Sequence, residues 1–150
     1  MARIPLHIRS WFGEQGIFLT FFIKGIPHLR PVSTEGLVDT GSPWLALSPQ
    51  DCETLNIQTK TLSSPSEYLN VRMAGVKFKR MLMENIEIVI LDEKENPVRV
   101  KMPHVSVLVP TKHLEEKIPS VIGMDFIRCA DFIFHYNNKK REAYFEIGNP

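Results

Sequence analysis

The chain has 150 residues, 43% of them apolar and 23% charged, the composition of one soluble globular domain over 1–150 with a sizeable core. Eighteen Lys and Arg against 17 Asp and Glu leave a formal charge of +1, so no global field gathers nucleic acid or anionic lipid. The longest apolar run, 16–23, falls short of the roughly 20 residues that span a bilayer, and the first residues carry no signal-peptide pattern, so a cytoplasmic protein without nucleic-acid or membrane contacts is expected.

Apolar runs of strand length, rich in Val, Ile and Phe, recur between turn residues, and no long stretch keeps a helical period. An all-β fold is expected. In chain order, strands are predicted at 5–9, 17–24 and 36–38. A turn, Asp39-Thr40-Gly41-Ser42, then leads to a strand at 44–47. Ser48 before Pro49 is an N-cap followed by Pro at the first helical position, which predicts a short helix over 49–55. Residues 58–66, with Thr, Ser and Pro, read as loop. Strands at 68–73 and 76–91, joined at Ala74-Gly75, form a predicted hairpin. A polar turn over 92–97 precedes strands at 98–101 and 105–109. A second short helix is expected over 123–129, then strands at 132–136 and 143–147 around the polar break Asn137-Asn138-Lys139-Lys140. Cys52 and Cys129 match no disulfide framework or zinc spacing and are expected to be buried thiols. No internal repeat is present, so chemistry that needs two similar halves must find the second in another chain.

The turn Asp39-Thr40-Gly41-Ser42 sits between apolar Leu37-Val38 and the strand that begins at Trp44. A carboxylate at the end of a buried strand is costly unless it is hydrogen-bonded. Gly41 allows close backbone approach, so its amide can support the Asp39 oxygens, and Thr40 and Ser42 add hydroxyl donors. The same triplet also serves many proteins as an Asx or ST turn. A second element, Ile118-Pro119-Ser120-Val121-Ile122-Gly123-Met124-Asp125-Phe126-Ile127, lies far downstream.

Together the two elements resemble the retroviral-like aspartic proteases, or retropepsins, in particular their cellular and prokaryotic members. That signature is apolar-apolar-Asp-Thr/Ser-Gly-Ala/Ser, matched by Leu37-Val38-Asp39-Thr40-Gly41-Ser42, and later apolar-apolar-Gly before a short helix, matched by Val121-Ile122-Gly123. The resemblance spans about residues 17 to 147. It implies a half-barrel with a flap hairpin and one or two short helices, paired as a two-fold homodimer. It further implies catalytic roles for Asp39, Thr40 and Gly41, and substrate contacts from Ser42, Ala74, Gly75, Val121 and Ile122. The hairpin at 68–91 stands where the family has its flap, with Gly75 as hinge or tip. The chain departs from viral members in four places: Met124 replaces the usual Arg, Pro43 interrupts the route to an Asp partner, the flap tip is less Gly-rich, and an insertion covers 27–35.

Cutting an amide without a metal or a covalent nucleophile requires one group to take a proton from water and another to give one to the carbonyl oxygen. Two carboxyls sharing a proton do both, and one chain supplies one such Asp. The expected activity is therefore that of a dimeric aspartic endopeptidase acting on extended peptide or protein, with no cofactor. The rival is a non-catalytic dimeric module that captures extended peptide on the same fold. A third reading is a structural dimerisation module. Other constellations are weaker. His7, His28, His104, His113 and His135 lack metal-ligand spacing, and no Gly-x-Ser-x-Gly elbow is present. Lys77, Phe78, Lys79 and Arg80 read as a solvent-facing strand, Asp125 and Asp131 as helix caps or sheet-end partners, and Phe132, Phe134, Tyr136, Tyr144 and Phe145 as core and dimer packing.

Overall fold

The computed structural model describes residues 2–63, 71–73, 76–114 and 116–148. Strands β1 (Arg3–Pro5), β2 (His7–Trp11), β3 (Glu14–Lys24) and β4 (Thr34–Val38) come first, followed by the two-residue β5 (Ala46–Leu47) and helix α1 (Pro49–Leu55). A 3-10 turn at Thr59–Thr61 precedes β6 (Val71–Met73), β7 (Val76–Leu91), β8 (Pro97–Pro110) and β9 (Ser120–Ile122). Helix α2 (Met124–Ala130) and strands β10 (Phe132–Asn137) and β11 (Glu142–Ile147) close the chain. The all-β expectation holds, with two short helices.

Eight strands form one sheet in the order β2-β3-β4-β9-β5-β8-β7-β6. It closes into a barrel because β3, besides its partners β2 and β4, is long enough to reach β7 as well. Phe18 to Phe21 pair with β4, and Phe22 to Lys24 pair with β7. A second sheet of three strands, β1-β11-β10, carries the termini. The core joins the two sheets: Phe126 from α2 meets Phe132 edge-on at 5.7 Å, and Phe132 stacks on Phe145 at 5.3 Å. Aromatic pairs of this kind add specific geometry to a large buried area.

Local chemistry explains most boundaries. Ser48 Oγ accepts from the Asp51 N–H at 3.2 Å and caps α1, while Asn56 ends it in the left-handed region at φ 63°. The Asp92 carboxylate accepts from the Lys94 and Asn96 amides at 2.9 and 2.8 Å, so the polar turn between β7 and β8 is an Asx turn.

Several expectations need correction. The strand predicted at 5–9 is two strands: Arg3–Pro5 pairs with β11 and His7–Trp11 with β3, so the chain changes sheets at Leu6. The strands predicted at 98–101 and 105–109 are one. Proline at position 103 lacks an N–H and stands opposite Asn85, at φ 54°, where the ladder skips a rung without losing register. The strand predicted at 44–47 shrinks to Ala46–Leu47, because the Trp44 and Leu45 amides turn to side chains. Helix α2 starts one residue late, with Gly123 as its N-cap. Cys52 is buried but Cys129 is exposed. Phe132 and Phe145 are core, whereas Tyr136 is exposed and Tyr144 lies at the surface between the His135 ring and the Arg3 guanidinium. Of the strand predicted at 68–73, Val71–Met73 pairs with β7; its remainder and the turn Ala74-Gly75 lie outside the described residues.

Candidate active site

Strand β4 runs parallel to β9, with Gly36 opposite Ser120 and Val38 opposite Ile122. Gly36 packs closely there, since a Cβ would lie 2.8 Å from Ile122 Cδ1 and 2.9 Å from Ile122 Cγ1, so that side chain would have to shift. The pairing extends one residue past β4, where the Asp39 N–H donates to the Ile122 carbonyl at 3.0 Å. The chain then reverses. The Ser42 N–H donates to the Asp39 carbonyl at 3.1 Å, and the Gly41 N–H donates to Asp39 Oδ1 at 2.9 Å. One carboxylate oxygen is thus oriented by a backbone dipole.

Two further bonds tie the turn to the segment after β9. The Met124 N–H donates to the Ser42 carbonyl at 2.8 Å, and the Asp125 N–H to the Pro43 carbonyl at 3.1 Å. This approach is possible because residue 123 is Gly. Its φ of −99° suits any residue, but a Cβ would stand 2.3 Å from Trp44 O and 2.6 Å from Trp44 N. The constraint is steric. The turn is therefore held along β4, across β9 and at the start of α2.

The side chains expected at the site divide into two groups. Asp39, Thr40 and Gly41 are exposed in the single chain. Ser42 is half-buried and donates its hydroxyl to the Trp44 carbonyl at 3.2 Å, so it braces the turn. Val121 and Ile122 were expected to line a substrate groove. Ile122 is 0% exposed and Val121 8% exposed. Strand β9 has neighbours on both edges, β4 and β5, and its side chains pack into the protein. Ala74 and Gly75 lie outside the described residues. A cavity of about 610 Å³ lined by residues including Lys24, Gly25, Asn85 and Lys101 shares none with the turn. Among the described residues no group of three or more His, Cys, Asp or Glu is placed to hold a metal ion, and no helix is long and apolar enough to cross a membrane.

Asp125 lies in the first turn of α2 and is not its cap, which is Gly123 with no side-chain cap bond; it reaches across the fold instead. Its Oδ1 accepts from the Phe126 amide beside it and from the Leu45 amide after the turn. Burial pushes its carboxyl above the ordinary carboxylate value, against the pull of those amides and of Arg80 and Arg128. A comparable bond holds α1, where buried Ser120 Oγ accepts from the Ser48 N–H at 2.9 Å and donates to the Asp51 carboxylate.

Sequence reasoning missed Arg80. It was expected to face solvent with Lys77 and Lys79, which are exposed. Alternation along β7 instead places it on the same face as buried Val76 and Phe78. Its guanidinium lies 3.8 Å from the centroid of the Trp44 ring, and its Nε donates to buried Ser106 Oγ at 2.8 Å. The available signal was the period of two from Phe78.

The sequence matches no protein-family model and no curated protein. In structure, the chain is similar to a retropepsin-like aspartic protease from Rickettsia conorii, with 16% identity and a TM-score of 0.52 over 97% of this chain and 93% of that one. That likeness establishes that this chain has a retropepsin-like fold.

Proposed function

We propose that the chain is an aspartic endopeptidase that works as a homodimer, each subunit contributing Asp39 to one water-activating pair. The observation that carries this reading is the turn itself. An exposed carboxylate, oriented by the Gly41 amide, sits on a loop anchored by three backbone bonds to β9 and α2. Such anchoring on an exposed loop suits a group that must keep its position while substrate and a second subunit approach. The retropepsin-like fold supports the same conclusion.

A single carboxyl cannot both accept a proton from water and donate one to the scissile carbonyl. A two-fold axis beside the turn brings Asp39 and its copy together in an isologous pair. At hydrogen-bond distance two carboxyls cannot both ionise cheaply, so the pair shares a proton and titrates as a unit. The unprotonated member takes a proton from the attacking water, and the protonated member hydrogen-bonds the carbonyl oxygen as it gains charge. Collapse of the tetrahedral intermediate then returns a proton to the leaving amine. Thr40 braces the two turns near the axis. The β6–β7 hairpin acts as a flap, pairing with the extended substrate main chain and excluding water.

The test is cleavage of an unbiased peptide mixture by wild type and Asp39→Asn at mildly acidic and neutral pH, read by mass spectrometry across a protein concentration series. New termini from wild type alone, rising more steeply than linearly where dimerisation is limiting, are expected. A folded, dimeric wild type that binds peptides without cutting them would instead identify a peptide-binding module.

A further inference from the structure

Arg80 is an unusual residue for the inner face of the hairpin. Its neighbours on that face, Val76 and Phe78, are buried against Ala46 and Leu108. A guanidinium costs free energy in such a place unless its donors are used. Two interactions fix it: the 2.8 Å bond from Nε to Ser106 Oγ and the stack on Trp44 at 3.8 Å. Ser106 is 1% exposed, so this anchor does not move with the surface. The Nε bond and the stacked face leave the terminal nitrogens to point elsewhere. Among the described residues, no carboxylate oxygen lies within 4.0 Å of them. The Asp125 carboxyl acts on it electrostatically without an ion pair, and the Oδ1 of that carboxyl accepts from the Leu45 and Phe126 amides. The half-exposed Trp44 beneath the guanidinium follows the Asp39 turn by only a few residues, and its backbone is the surface against which Gly123 packs.

A pre-oriented planar cation, stacked on one face and with no carboxylate oxygen within 4.0 Å among the described residues, is suited to bind a carboxylate through paired N–H donors. We propose that Arg80, supported by Trp44 and Ser106, is a specificity-determining residue that selects substrates carrying an acidic side chain near the scissile bond. The inference rests on the protease reading for its substrate class and on the Arg80 geometry for its charge preference. Lys77 and Lys79 point to the opposite face and take no part.

The experiment uses peptides in which one Glu, or one Gln, is walked across the four positions on each side of a cleaved bond. The ratio of kcat/KM for Glu over Gln is measured for wild type, Arg80→Gln, Arg80→Lys and Arg80→Glu. Wild type should favour Glu about tenfold at one position, the scale of a single charge-assisted hydrogen bond. Arg80→Gln should bring that ratio close to one, Arg80→Lys should retain part of it, and Arg80→Glu should favour Lys over Gln at the same position. The same peptide pairs are titrated against Asp39→Asn protein by fluorescence anisotropy, which needs no cleavage. Cleavage with no acid preference in wild type overturns the Arg80 proposal and leaves the protease intact. Acid-selective binding without any cleavage overturns the protease and leaves the Arg80 proposal intact. A Glu preference that persists in Arg80→Gln assigns the selectivity to another residue and overturns the proposal, and the Arg80→Lys result decides the matter if Arg80→Gln does not fold.

Discussion

Replacing Gly123 by Ala tests whether the candidate site is held by close packing of two backbones. At φ −99° and ψ −172° alanine meets no conformational penalty, so the backbone angles predict little effect. The neighbours predict a large one. The new Cβ would lie 2.3, 2.5 and 2.6 Å from Trp44 O, C and N, all main-chain atoms that no rotamer change can clear. Segment 42–44 must then separate from the start of α2, stretching the bonds from Met124 N–H to Ser42 O at 2.8 Å and from Asp125 N–H to Pro43 O at 3.1 Å. Overpacking costs about 1–3 kcal/mol, and each weakened backbone bond adds about 1 kcal/mol. The sum is about 3–5 kcal/mol, or roughly 6–20 °C in Tm for a chain of this length. Urea titration and thermal melting followed by circular dichroism measure it directly. Gly41→Ala is the comparison, because its Cβ would meet only Asp39 Oδ1 at 3.2 Å, and a loss below about 1 kcal/mol is expected there. A Gly123→Ala protein that melts within two degrees or so of wild type would refute the packing argument.

The remaining predictions concern charge and access. Asp39→Asn should leave Tm within about 1 °C of wild type, because the side chain is exposed and an amide oxygen still accepts the Gly41 N–H; a large loss would make Asp39 a structural residue. Burial raises the Asp125 carboxyl from its ordinary 3.8, so the folded chain holds that proton more tightly than the unfolded chain. The resulting stability is complete below 3.8 and is lost as pH rises through the folded value. Asp125→Asn keeps an acceptor for the Leu45 amide and removes this titration, so the stability of wild type relative to the variant should fall as pH rises from 3 to 7 in urea titrations. A flat difference would contradict the burial effect. Burial and Asp51 together push the Cys52 thiol up to about 12, and it is 2% exposed, whereas Cys129 is exposed. An aromatic disulfide reagent at pH 8 should therefore modify one thiol per folded chain, identified by peptide mapping as Cys129, and the second only after denaturation. Equal modification of both in the folded protein would contradict the burial of Cys52.

The sequence by itself determined what depends on neighbouring residues. The Ser48-Pro49 cap, the Asp92 turn and the period-two runs of β3 and β7 are local signals, and the structure contains the elements they announce. The turn at Asp39 and the apolar-apolar-Gly element were legible for the same reason, since each is a short contiguous pattern. Tertiary structure decided what depends on residues brought together from afar. The switch of sheets at Leu6 is set by which strand each half meets, and the diversion of the Leu45 amide from the ladder by the Asp125 carboxylate 80 residues away. Burial of Val121 and Ile122 follows from the insertion of β9 between β4 and β5, which no periodicity in three residues can reveal. Arg80 shows the boundary most clearly. Its parity with Phe78 was present in the sequence, but Ser106 and the Trp44 ring that fix its guanidinium come from other parts of the chain, and only the closed barrel brings them to it.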